Sequence, residues 1–154
     1  QLHGDISTIF RQVACYKFET DLHKTFREKG HVSKEEIGEL FVKHMSSYLG
    51  ESVFFPPRAE YGWTYWSHIR AFFYVYSYAS GLLIAKALRG RVRRNPKDIE
   101  QVKNILSVGL SASPREMFAD IGIDIAKKEF WDEGIAEIER MLEEAESLAE
   151  TIER

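Results

Sequence analysis

Ala71-Phe72-Phe73-Tyr74-Val75-Tyr76-Ser77-Tyr78-Ala79-Ser80-Gly81-Leu82-Leu83-Ile84-Ala85-Lys86-Ala87-Leu88-Arg89 is the stretch on which the fold turns. On a helical period Phe72, Phe73, Val75, Leu82, Leu83, Ile84 and Leu88 point all round the axis, the pattern of a helix buried on several sides. Leaving one such side chain in water forfeits roughly 1.5 to 3 kcal/mol, so neighbouring elements must cover it. The spacing therefore predicts a single helix from Ala71 to Arg89, with its start near Trp63 or Ser67, at the centre of an all-α helical bundle. Gly81 within that helix costs about 1 kcal/mol relative to alanine, which predicts close approach of a neighbouring backbone.

Working outward, Ile6, Ile9, Phe10, Val13, Tyr16, Phe18, Leu22 and Phe26 follow a helical period from Asp5 to about Lys29, with Gly30 placed to end it. Ser33-Lys34-Glu35-Glu36 reads as a capping box opening a second helix, with Gly50 as its stop. Pro56-Pro57 makes 51–62 a connector. Downstream, Asn95-Pro96 opens a helix through Ile99, Val102, Ile105 and Leu106. Ser113-Pro114-Arg115-Glu116 repeats the grammar of cap, proline and third-position glutamate, for a short helix to about Ala119. Phe130 to Ile152 carries Trp131, Ile135, Ile138, Leu142, Ala145, Leu148 and Ile152 on one stripe among abundant Glu, an amphipathic docking helix. No alternation of apolar and polar residues suggests a sheet. The fold class is all-α, a bundle around a central aromatic-rich helix, and the 154 residues read as one domain.

A net charge of −3 gives no global electrostatic case for nucleic acid. The one basic cluster, Lys86, Arg89, Arg91, Arg93 and Arg94, reads as a solvated helix end rather than a phosphate site. The longest nearly uncharged run, Ala71 to Leu88, is too short and too rich in Tyr and Ser to span a bilayer, which takes about 20 apolar residues. No signal-peptide pattern opens the sequence. Cys15, the only cysteine, excludes an internal disulfide and points to a reducing, cytoplasmic setting. Within its helical pattern it reads as a small buried hydrophobe, not a nucleophile.

Chemistry concentrates between Trp63 and Gly81, where two Trp, four Tyr and one His fall within nineteen residues. A buried tyrosine must still find a partner for its hydroxyl, so Phe or Leu is the simpler packing choice unless the polar tip is used. Two readings stay open on the residues alone: an aromatic core helix, or a cavity lined by neutral donors. His68 with Tyr74, Tyr76 and Tyr78 suits the second, because several neutral donors facing one cavity can stabilise an oxyanion. Helical spacing puts Tyr74 and Tyr78 on one face and Tyr76 on roughly the other. Among His3, His23, His31, His44 and His68 no two have the spacing of the H-E-x-x-H zinc helix. Glu19 and His23 are one turn apart and read as a surface hydrogen-bonded pair in preference to metal ligands.

Ile6-Ser7-Thr8-Ile9-Phe10-Arg11-Gln12-Val13-Ala14 with Phe18-Glu19, the His68 to Gly81 run, Leu106-Ser107-Val108-Gly109-Leu110-Ser111-Ala112-Ser113-Pro114, Gly122-Ile123-Asp124, and Phe130-Trp131 with Gly134 together resemble the C-terminal part of oligoendopeptidase F. The resemblance is collinear from about Ile6 to about Leu142. That group belongs to the thimet-oligopeptidase-like zinc metallopeptidases, helical enzymes that enclose short peptides in a deep channel and cut internal bonds. It implies a zinc-binding H-E-x-x-H and a further glutamate in an N-terminal catalytic portion upstream of the matched region. No zinc would then be bound by this chain alone, which would be inactive by itself. It further implies that His68 and Tyr76 donate to the substrate carbonyl as an oxyanion develops, with Tyr74 and Tyr78 contacting substrate. Relatives often carry proline before the histidine and aromatics after it, where this sequence has Ser67 and Ile69-Arg70. The opening Gln1-Leu2-His3-Gly4 fits a fragment of the longer enzyme. The competing reading is a stand-alone helical module that binds peptides or a protein partner without catalysis.

Overall fold

A computed structural model describes residues 1–51 and 53–152, and among these there is no strand. The all-α expectation is met. The chain forms two compact units, one of His3–Ser80 and the other from Gly81 onward together with Gln1 and Leu2. No helix of the described residues is long and apolar enough to cross a membrane.

The first unit takes α1 (Leu2–Ile6) from His3 onward, which runs through a π turn, Ser7–Arg11, into α2 (Gln12–Lys29). Gly30 ends α2 with φ 74°, its N–H donating to the Phe26 carbonyl at 2.8 Å, a left-handed stop that glycine adopts without a Cβ clash. α3 (Lys34–Leu49) starts on the expected capping box: Glu36 N–H donates to Ser33 Oγ and Ser33 N–H to Glu36 Oε2. Between α2 and α3 a core forms from Ala14, Cys15 and Met45, joined by Val75 and flanked by Phe41, Tyr48, Phe55 and Trp66. The fully buried Phe18 sets its ring edge-on to Phe41, 5.4 Å between centroids. A 3₁₀ segment, Ala59–Tyr65, passes so close to α3 that a Cβ on Gly62 would lie 3.0 Å from the Phe41 ring.

The expected helix from Ala71 does not form there. Ser67–Ala71 is a 3₁₀ turn, Phe72 and Phe73 take φ of 42° and 60°, and α4 begins only at Tyr76, running to Arg94. Left-handed φ cannot be continued into a right-handed helix, so these two residues break the element. Phe72, assigned to the core by its period, is 72% exposed, whereas Val75 is fully buried.

In the second unit, the remainder of α4 packs with α5 (Ile99–Val108, preceded by a 3₁₀ turn at Pro96–Asp98), α6 (Pro114–Ala119) and α7 (Lys128–Ile152). Ala87, Ile105, Phe118, Ile123 and Phe130 form its core. Trp131 satisfies its indole N–H on the Ile125 carbonyl at 2.9 Å. Close approach of two helices occurs at Gly134, where a Cβ would lie 2.6 Å from the Leu83 carbonyl oxygen. At Gly81 nothing would lie within 4 Å of such a Cβ, which overturns the close approach inferred for it. Arg93 and Arg94 are held by α7: Arg93 makes a two-pronged pair with Glu137, and Arg94 donates to Glu133 at 2.7 Å. The apolar stripe of α7 docks through Phe130 and Ile138, while Ile135, Leu142, Leu148 and Ile152 are exposed.

Candidate functional site

The left-handed Phe72–Phe73 turn lies between the 3₁₀ turn that carries His68 and the helix that carries Tyr78. Reversing the chain at that point folds Tyr74 back over the histidine: the two rings stack with 9° between planes and 5.7 Å between centroids. Tyr78, one turn further along, meets the same imidazole edge-on, and its hydroxyl lies 2.9 Å from His68 Nε2. Tyr74 and Tyr78 in turn pack edge to face at 5.6 Å. Three of the four residues singled out in the sequence therefore form one cluster. Tyr76 opens α4 63% exposed and takes no part in these ring contacts.

The shared His68–Tyr78 bond has two protonation patterns, and each leaves a donor over. If Nε2–H donates to the phenol oxygen, the Tyr78 O–H remains to donate elsewhere. If the phenol donates to Nε2, the free donor is His68 Nδ1–H. Either way the pair presents a neutral hydrogen-bond donor with its ring held by stacking, which is what stabilising negative charge on a carbonyl oxygen requires. Tyr74 is 48% and Tyr78 36% exposed, so the cluster is open to an incoming molecule.

Glu19 is the residue whose part the sequence reading missed. It is fully buried, not a surface partner of His23; His23 Nε2 is 3.9 Å away, too far for a hydrogen bond. Its Oε1 accepts the Phe73 N–H at 2.7 Å, across 54 positions of sequence. Two consecutive non-glycine residues at positive φ each cost of the order of 1 to 3 kcal/mol, so the turn persists only because its surroundings fix it. The signal was present in the pattern: Ala14, Cys15, Phe18 and Glu19 share one helical face, and three of them are apolar.

Among the described residues no three His, Cys, Asp or Glu side chains converge as metal ligands, so those residues offer no set that fits a zinc centre. Cys15 is buried and its burial pushes the thiol up to about 11, which suits packing rather than nucleophilic attack.

The sequence profile described as Peptidase family M3 matches residues 2–137. The chain belongs to peptidase family M3. Among curated proteins this M3 chain is 30% identical over 148 residues to the Group B oligopeptidase PepB of Streptococcus agalactiae, covering 96% of the chain and 25% of that protein. It is 30% identical to an oligoendopeptidase F homolog of Borreliella burgdorferi over 83% of the chain and 22% of that protein. To the oligopeptidase PepF of Bacillus subtilis it is 25% identical, over 96% of the chain and again 22% of the relative. The M3 chain thus spans about a quarter of the length of these relatives. No solved structure matches it.

Proposed function

We propose that this chain is the substrate-facing C-terminal portion of a cytoplasmic zinc metalloendopeptidase that hydrolyses internal bonds of short peptides. His68 and Tyr78, as one hydrogen-bonded pair, supply the donor it leaves over to the carbonyl oxygen of the scissile bond, and Tyr74 holds the imidazole from its face. The observation that carries this reading is the 2.9 Å contact between Tyr78 Oη and His68 Nε2 beneath the stacked Tyr74 ring. Membership of the M3 family and the relatives' names support the peptidase assignment. Zinc would be held by residues of the N-terminal catalytic portion, not by the described residues of this chain, and would supply Lewis-acid chemistry there. The residues of this chain bind and orient the peptide, and their donors strengthen as charge develops on its oxygen. Tyr76, exposed on the first turn of α4, is the second tyrosine donor in this reading and reaches the substrate from outside the cluster.

The test is steady-state kinetics of His68→Ala, Tyr78→Phe and Tyr76→Phe in the complete enzyme. Loss of an oxyanion donor lowers kcat about 100- to 1,000-fold with little change in KM. Normal kcat in all three variants would leave a peptide-binding module without a part in catalysis. The chain by itself is expected to bind no stoichiometric zinc and cleave no quenched-fluorescent peptide. One zinc per chain by metal analysis, with chelator-sensitive hydrolysis, would overturn the division of labour.

A further inference from the structure

Building on the cluster reading above, we propose that Glu19 is a positioning residue: its carboxylate holds the left-handed Phe72–Phe73 turn that brings Tyr74 and Tyr78 onto His68. The hydrogen bond from Phe73 N–H to Glu19 Oε1, at 2.7 Å, is the polar contact that ties the turn to α2. Residues one turn to either side of Glu19 pack on the same turn. Tyr16 meets the Phe73 ring edge-on at 5.8 Å, and His23 lies 5.1 Å from Phe73 and 6.1 Å from Phe72 between centroids. Tyr16, Glu19 and His23 therefore form one continuous face of α2 whose common occupant is the turn.

The choice of residue argues for more than packing. Glu19 is fully buried, and its Oε2 is enclosed without a hydrogen-bond partner. A carboxylate with one oxygen unsatisfied is a costly way to fill space, since burying an ionic or polar group without partners opposes folding. What it supplies is a strong acceptor at a backbone N–H that the left-handed turn would otherwise leave unpaired inside the protein. Without that acceptor the favourable course for 71–75 is the one their own spacing predicts, a right-handed continuation of α4. Tyr74 would then leave the face of His68, and the phenol of Tyr78 would lose its fixed approach to Nε2.

The experiment is NMR of this chain with labelled histidine and tyrosine, reading ring-to-ring NOEs between His68 and Tyr74 or Tyr78 and the His68 side-chain nitrogen shifts. Tyr78→Phe provides the reference for a broken His68–Tyr78 bond, and urea unfolding of each variant reports stability separately. In Glu19→Ala we expect loss of the His68–Tyr74 NOEs and movement of the His68 nitrogen shifts to those of Tyr78→Phe. In Glu19→Gln, whose amide oxygen still accepts from Phe73, both signatures are expected to return. Full retention of the NOEs in a folded Glu19→Ala variant would overturn the proposal. Should Glu19→Ala fail to fold, Glu19→Gln decides: a folded Gln variant without the NOEs overturns it and one that keeps them upholds it. Because the readout is geometric, its failure is distinct from failure of the catalytic reading, which rests on kcat of the His68 and tyrosine variants.

Discussion

Gly134 faces the Leu83 carbonyl at a distance no Cβ could occupy, whereas Gly81 faces open space. Both lie inside helices, so the two glycines have opposite expected responses to the same substitution. Gly81→Ala should stabilise the chain by about 0.5 to 1 kcal/mol by lowering the entropy of the unfolded state. Gly134→Ala should destabilise it by about 1 to 3 kcal/mol, because two helix backbones must separate to admit the methyl group. Urea unfolding of both variants checks the pair; equal effects would mean that neither glycine is set by its surroundings. Nothing in the local pattern distinguishes them, since a glycine's neighbours across a helix interface are distant in sequence. For the same reason Glu19 reads from the sequence as a surface partner of His23 and not as the buried partner of Phe73, 54 positions away.

At the scale of elements, both capping boxes and the glycine stops of α2 and α3 were legible, because a cap is satisfied within four residues of itself. The start of α4 was not. Periodicity from Ala71 onward is helical, yet the turn is imposed by an acceptor on another helix, and tertiary contact overrides spacing. The basic cluster does end a helix, since α4 runs to Arg94, but it is not all solvated as the sequence implies: Lys86 is buried with its Nζ 3.3 Å from Met141 Sδ, and the arginines differ in what they hold. Glu137 is 6% exposed and Gly90 packs against its carboxylate, so burial pushes its carboxyl up while the Arg93 and Arg140 guanidinium groups outweigh that and hold it low. Arg93→Ala is expected to cost about 1 to 3 kcal/mol, less than for a fully enclosed pair because Arg93 is half exposed. Arg94→Ala, which breaks an exposed pair with Glu133, should cost under about 1 kcal/mol. Urea midpoints of the two variants test the contrast, and equal losses would show that the burial of Glu137 is immaterial.

Over the whole molecule the depressed carboxyls set the response to acid. Asp21 is held low by its hydrogen bonds to His44 and Lys43, and Glu36 is brought down to about 2 by Lys29 and by the Ser33 backbone and hydroxyl. Glu116 is lowered in the same way by Ser113, and Glu137 by its arginines. A carboxyl whose folded pKa lies below its unfolded one contributes stability that is present above the unfolded value and lost as pH falls through the folded one. The urea midpoint should therefore be nearly flat from pH 7 to about 5 and fall progressively below about 4. A midpoint that rises on acidification would contradict these ion pairs. The family was legible at this scale because its motifs are spread collinearly along the chain, and residues 2–137 match it.

Cys15 lies at the centre of the first unit's core, and the sequence contains no other thiol. The molecule consequently carries an internal reporter for half of itself. Under native conditions a thiol-reactive dye can label the chain only when that core opens, so the labelling rate at fixed pH reads the opening equilibrium of His3–Ser80 while the other unit stays spectroscopically silent. Substitutions confined to Gly81 onward, such as Gly134→Ala, can then be sorted by kinetics alone: those that leave the labelling rate untouched act within their own unit, and those that raise it reveal that the two halves melt as one.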